Sequence, residues 1–201
     1  ILPQQQTLRE LLDLHCLPML CQPQELKITL KNFKTKPRLV ITDSQVFGRV
    51  SKDVPEEIDL TSFSILFARY KGDLQTLVQG AVTLKSLKDG DKVLISEGCT
   101  HHRQCGDIGT VKLPKWIKEF TGKEIDFSFT SGGDFPEDLS DFALVVHCGG
   151  CMLNSREMAY RLNMAKAEGT PVVNYGILIA YIHGILKRSL SPFEDMVKLM
   201  G

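Results

Sequence analysis

Two segments carry the residues most able to do chemistry: Glu97-Gly98-Cys99-Thr100-His101-His102 and His147-Cys148-Gly149-Gly150-Cys151. Thiolate sulfur is a soft ligand that suits iron–sulfur clusters and zinc, and imidazole is a neutral ligand that exchanges more readily on iron. In a Cys-x-x-Cys pair, intervening glycines let the backbone come close to a bulky anion. If a helix follows, its first-turn N–H groups can donate to sulfur and lower the thiol pKa. On these grounds Cys99, Cys148 and Cys151 are read as ligands of an iron–sulfur cluster, with Gly149 and Gly150 shaping the backbone around it. A 4Fe-4S cluster takes four ligands, so His101 or His147 is the candidate for a labile fourth position.

The same residues allow other readings. A structural zinc site uses these ligand types, and Cys-x-His with His-Cys-x-x-Cys could fill four tetrahedral positions. A redox dithiol needs only Cys148 and Cys151, which leaves Cys99 unexplained. Ordinary buried thiols would gain nothing from the glycines between them. Cys105 is a further fourth-ligand candidate with no positional support. Asp134, Glu137 and Asp138 suit a solvated turn better than a pair of catalytic acids. His183, among apolar neighbours in the last helix, reads as a packed core histidine. No G-x-x-x-x-G-K-[ST] phosphate loop, no G-x-G-x-x-G and no G-x-S-x-G elbow is present, so no catalytic apparatus is expected in this stretch.

Composition narrows the classes further. In 201 residues, 24 Lys and Arg balance 24 Asp and Glu, so no overall basic field points to nucleic acid. The apolar run at 176–182 is too short to span a bilayer. Six cysteines without a secretory signal suit ligands or free thiols in the reducing cytoplasm better than disulfides. The first residues show neither an initiator Met nor a basic leader, and read as the middle of a longer protein.

The elements that must position the thiols alternate along the chain. Thr7 with Glu10 suggests a helix start, and the stretch 16–21 reads as an edge strand interrupted by Pro18. Helices are expected at 24–33, across 64–87 with a break near Gly72, at 113–120, from about Met158 to Gly169, and at 177–186. Continuous apolar strands are expected at 38–42, 58–62, 92–96, 125–130, 142–146 and 170–175. Apolar strands alternating with helices predict an α/β protein with two small parallel-sheet α/β layers flanked by helices, divided near the turn at Asp89-Gly90-Asp91. Both cysteine segments follow strands directly. Parallel sheets build their sites at the carboxyl ends of strands, so the two segments are expected to converge there.

Several segments together resemble the HydF family of FeFe-hydrogenase maturation factors. They are Cys99-Thr100-His101-His102, Asp107-Ile108-Gly109, Lys112-Leu113-Pro114 with Trp116, the stretch from Gly132 to Ser140, and His147 through Asn154. Leu39-Val40-Ile41-Thr42-Asp43 and the stretch from Thr61 to Leu74 resemble its central domain. The resemblance implies a GTPase domain preceding this chain, a dimerisation domain at 1–87 and a cluster domain at 88–201. It implies a cytoplasmic homodimer and scaffold, not an enzyme in this part. That scaffold takes up a diiron precursor made with radical-SAM maturases and passes it to the immature FeFe-hydrogenase. Family cluster cysteines match Cys99, Cys148 and Cys151, and family histidines match His101 and His147. Cys105, Cys16 and Cys21 depart from the pattern.

Overall fold

A computed structural model describes residues 2–98 and 107–199. Its strands are β1 (Leu39–Thr42), β2 (Asp59–Ser62), β3 (Lys92–Glu97), β4 (Asp126–Ser131), β5 (Leu144–His147) and β6 (Val172–Asn174). The helices are α1 (Leu2–Asp13), α2 (Leu26–Asn32), α3 (Phe47–Asp53), α4 (Phe63–Lys71), α5 (Leu74–Val82), α6 (Leu113–Thr121), α7 (Ser155–Glu168), α8 (Tyr175–Ile182), α9 (Leu186–Ser189) and α10 (Glu194–Lys198). Every strand pair is parallel: β1 with β2 in one sheet, and β4-β3-β5-β6 in the other. The α/β class and the two small parallel layers are those expected from the alternating pattern.

The larger sheet is apolar on its central strands. All four residues of β5 are buried, as is β3 beyond Lys92. Helices cover both faces, as continuous apolar strands require. Helix α5 lies against β6 so closely that a Cβ on Gly80 would sit 2.0 Å from the Val172 carbonyl oxygen. Leu74, Leu77, Val78, Ala81, Leu84 and Leu87 join this core, so residues 74–87 pack with the larger sheet. The smaller sheet has a separate cluster of Leu26, Phe47, Val50, Val54, Ile58 and Leu60.

Three local expectations need correction. Helix α1 begins at Leu2, not after Thr7, with Pro3 in the first turn, where its missing N–H breaks no helical bond. No strand forms at 16–21: the segment pairs with no described strand, and Leu17 is 99% exposed. Backbone there reaches water, so pairing is not forced. His183 is exposed at the end of α8, its ring edge-on to Trp116 at 5.6 Å, so it is not a core histidine. No described helix is long and apolar enough to cross a membrane.

Candidate functional site

In the sheet order β4-β3-β5-β6, the chain leaves β3 for one side and returns through β5 on the other. Such a reversal opens a crevice at the carboxyl ends of the two adjacent strands, where α/β proteins place their ligands. Glu97-Gly98 ends β3 and His147-Cys148 ends β5, so both chemistry-bearing segments start at this crevice. Cys99, His101 and Cys105 lie outside the described residues. Their flanks, Gly98 and Asp107, are described.

Cys148 sits directly in the crevice. Its N–H continues the ladder to the Ser96 carbonyl (2.8 Å), and its Sγ accepts the Gly98 N–H at 3.0 Å and the Gly150 N–H at 3.4 Å. The backbone next to Cys99 therefore touches the sulfur of Cys148. Two N–H groups thus converge on one sulfur, an arrangement able to offset negative charge placed there. Helix α7 starts only at Ser155 and is capped by Asn154, whose side chain accepts the Glu157 N–H (2.8 Å). The donors to sulfur thus come from the loop and from Gly98, not from the first turn of the helix. Cys151 is half-buried and free of disulfide bonds, as is Cys148; Cys16 and Cys21 are exposed and free.

The two glycines of the loop differ. Gly150 has φ +61°, and a Cβ there would approach Met158 Sδ to 2.6 Å. Only glycine takes that conformation without strain. At Gly149 a Cβ would meet nothing within 4 Å, so the residue opens the front of the loop and is not fixed by a contact. At Gly98 a Cβ would lie 2.7 Å from the Leu153 side chain, which would have to shift to admit it.

His147 is 2% exposed and uses both ring nitrogens. Nδ1 lies 2.7 Å from the Cys148 carbonyl oxygen, and Nε2 lies 3.1 Å from Arg161 Nη1. A guanidinium only donates, so Nε2 accepts and Nδ1 carries the proton. Burial pushes the His147 pKa down to about 4, against the bond to Cys148 that favours the charged ring, and the nearby Arg161 charge lowers it further. Arg161, itself 2% exposed, also donates to Glu157 Oε1 (2.7 Å) and the Gly132 carbonyl (2.8 Å), and lies over the Phe135 ring. Placed this way, His147 offers no free nitrogen to a metal.

Beyond the expected set, the structure brings three charged residues to this edge. Glu97 is 3% exposed, and a side chain at Gly109 would collide with its Oε1 at 2.6 Å. Arg161 was legible as a charge on an apolar helical stripe, spaced with Met158, Leu162 and Ala165. Lys71 reaches the cysteine loop from α4, and no local pattern announces a contact across 80 residues. Hydrogen bonds from the Ser140 side chain and then from its N–H hold the Asp138 carboxyl below the ordinary range, as in a solvated turn. Among the described residues, no group of three or more His, Cys, Asp or Glu is placed to hold a metal ion.

Family comparisons cover nearly the whole chain. The model described as Hydrogen maturase F dimerization domain matches residues 1–72, and that described as Hydrogen maturase F tetramerization domain matches residues 75–192. No curated protein matches the chain.

Proposed function

Because this chain belongs to the hydrogen maturase F family, and so to hydrogenase maturation, we propose that it is the scaffold part of a maturase that holds a 4Fe-4S cluster on Cys99, Cys148 and Cys151. The observation that carries this reading is the Cys148 sulfur, which receives two backbone N–H groups at the crevice where the Cys99 segment begins. Donors of this kind offset the negative charge that sulfur and sulfide bring to a cluster site.

When bound, the cluster supplies an iron whose fourth position exchanges. The protein's own groups do the rest. Gly150 turns the loop so that its N–H faces sulfur, and Arg161 fixes His147 against the Cys148 carbonyl. With both nitrogens of His147 engaged, the exchangeable position falls to His101 or to an incoming ligand. The cargo is a diiron precursor, received with radical-SAM partners and delivered to the immature FeFe-hydrogenase. A protein with this role works in the cytoplasm, and the GTP-dependent step belongs to a domain outside this chain.

Self-association is the second part of the proposal. Leu14, Leu17, Met19 and Leu20 are exposed on the half matched by the dimerization description. Covering them in a homodimer removes apolar surface from water.

Anaerobic reconstitution with iron and sulfide tests the site. The expected result is a brown protein with acid-labile sulfide and a paramagnetic reduced state. Cys148→Ala and Cys151→Ala should lose the cluster while far-ultraviolet circular dichroism stays unchanged. A colourless protein carrying zinc, or full loading in either variant, overturns the reading.

A further inference from the structure

Lys71 is the last residue of α4, on the half matched by the dimerization description, yet its ammonium is spent on the loop of the other half. Nζ donates to the carbonyls of Gly150 (3.3 Å), Cys151 (3.0 Å) and Leu153 (2.9 Å). An ammonium has three N–H donors, so all of them are engaged by this single loop. Phe67, one turn earlier on the same helix, places its ring 5.3 Å from Nζ. Among the described residues, Lys71 forms no ion pair. A flexible lysine held by neutral carbonyls loses much rotamer freedom, and that loss is offset only where the acceptors are already gathered.

The peptide bonds here are trans, and in a trans peptide the N–H points opposite to the preceding carbonyl. Carbonyls of residues 150 and 151 facing Lys71 therefore turn the N–H groups of residues 151 and 152 to the far side of the loop. The Gly150 N–H meanwhile meets the Cys148 sulfur. Arg161 holds the start of the loop at His147 from within the same half. Lys71 holds its end from the other half.

We propose that Lys71 is the positioning residue that fixes the Cys148–Cys151 loop, gathering the carbonyls of residues 150, 151 and 153 on one side, and thereby couples that loop to the dimerisation half. The coupling to cluster holding rests on the proposed function above; the positioning of the loop does not.

The test uses the whole chain with Lys71→Gln, which keeps a polar side chain but loses the charge and most of the reach, and with Lys71→Arg as the conservative variant. The first readout needs no metal. In the reduced apo protein, alkylation of each cysteine by iodoacetamide is timed by peptide mass spectrometry, with exposed Cys16 and Cys21 as internal references. Loss of charge-assisted bonds should open the loop and raise the rate at Cys151 and Cys148 about tenfold in Lys71→Gln. Lys71→Arg should restore most of the protection, and Cys16 and Cys21 should not change. Hydrogen exchange over residues 148–154 should quicken in the same variant while the exchange of β3 and β5 is kept. Equal alkylation and exchange in wild type and Lys71→Gln overturn the proposal. The second readout is anaerobic reconstitution, in which Lys71→Gln should bind less iron with an altered resonance spectrum. If the wild-type protein fails to load, the cluster reading falls while the apo-loop result still decides the role of Lys71.

Discussion

The β1–β2 sheet gathers a core of Leu26, Phe47, Val50, Val54, Ile58 and Leu60, whereas β4-β3-β5-β6 is packed on both faces by a much larger cluster running from Ile65 to Leu190. The small layer also borrows closure from the far end of the chain. Ser191 Oγ accepts the Leu60 N–H (3.0 Å), and Arg188 donates to the carbonyls of Pro55 and Ile58. Large apolar side chains stay exposed in the same half of the chain, at Leu12, Leu14, Leu17, Met19 and Leu20. A two-stranded sheet is marginal by itself, while a four-stranded sheet with covered faces is self-sufficient. The difference teaches where each half spends its apolar surface. One spends it inward around the crevice, and the other leaves some of it outward.

That contrast is broken most strongly at Arg161. Replacing it with Leu leaves the buried His147 Nε2 and the half-buried Gly132 carbonyl without their donor. A loss of about 3 kcal/mol is expected, read as a lower urea midpoint at unchanged slope. A smaller effect is expected at Asp73, which caps α5 by accepting the Thr76 N–H and ties α5 to α7 through Lys166 at 2.6 Å. Burial raises its pKa, but the bonds from Lys166 and Thr76 outweigh this and leave it at about 2. The folded value lies below the unfolded one, so the contribution is present above about pH 4 and is lost as pH falls toward 2. Asp73→Ala should cost about 1 kcal/mol at neutral pH, and the gap to wild type should close in acid. The smallest change in folding stability is expected from Leu17→Asp with Leu20→Asp, within about 0.5 kcal/mol for such exposed positions. Their effect should appear in assembly instead, as a fall in mass by light scattering from dimer to monomer.

The crevice was legible because the two strands that end there read clearly in the sequence. The apolar run ending at Ser96 and the run ending at Val146 each hand over directly to a cysteine segment, and parallel pairing then brings both to the same edge. The stop at Gly169 was readable too, since a left-handed residue ends the helix, and its φ is +71°. What the sequence hid were contacts across long separations. The role of Lys71 depends on α4 ending beside a loop 80 residues away, which no periodicity encodes. The segment at 16–21 has the composition of a strand, but a strand exists only with a partner to accept its hydrogen bonds. His183 shares a helix with apolar residues yet lies at its last turn, where the chain turns away from the core.

Helix α4 is tied near both ends to the same edge of the larger sheet. Asn174, at the end of β6, donates to the Ser64 carbonyl at 3.2 Å, and Lys71 grips the loop after β5. A nine-residue helix is a stiff rod about 13 Å long. Fastened in two places, it has little freedom to slide or rotate without carrying its attachments along. Helix α1 packs on α4, so a shift of α1 would be passed along this rod to the thiol crevice as a displacement.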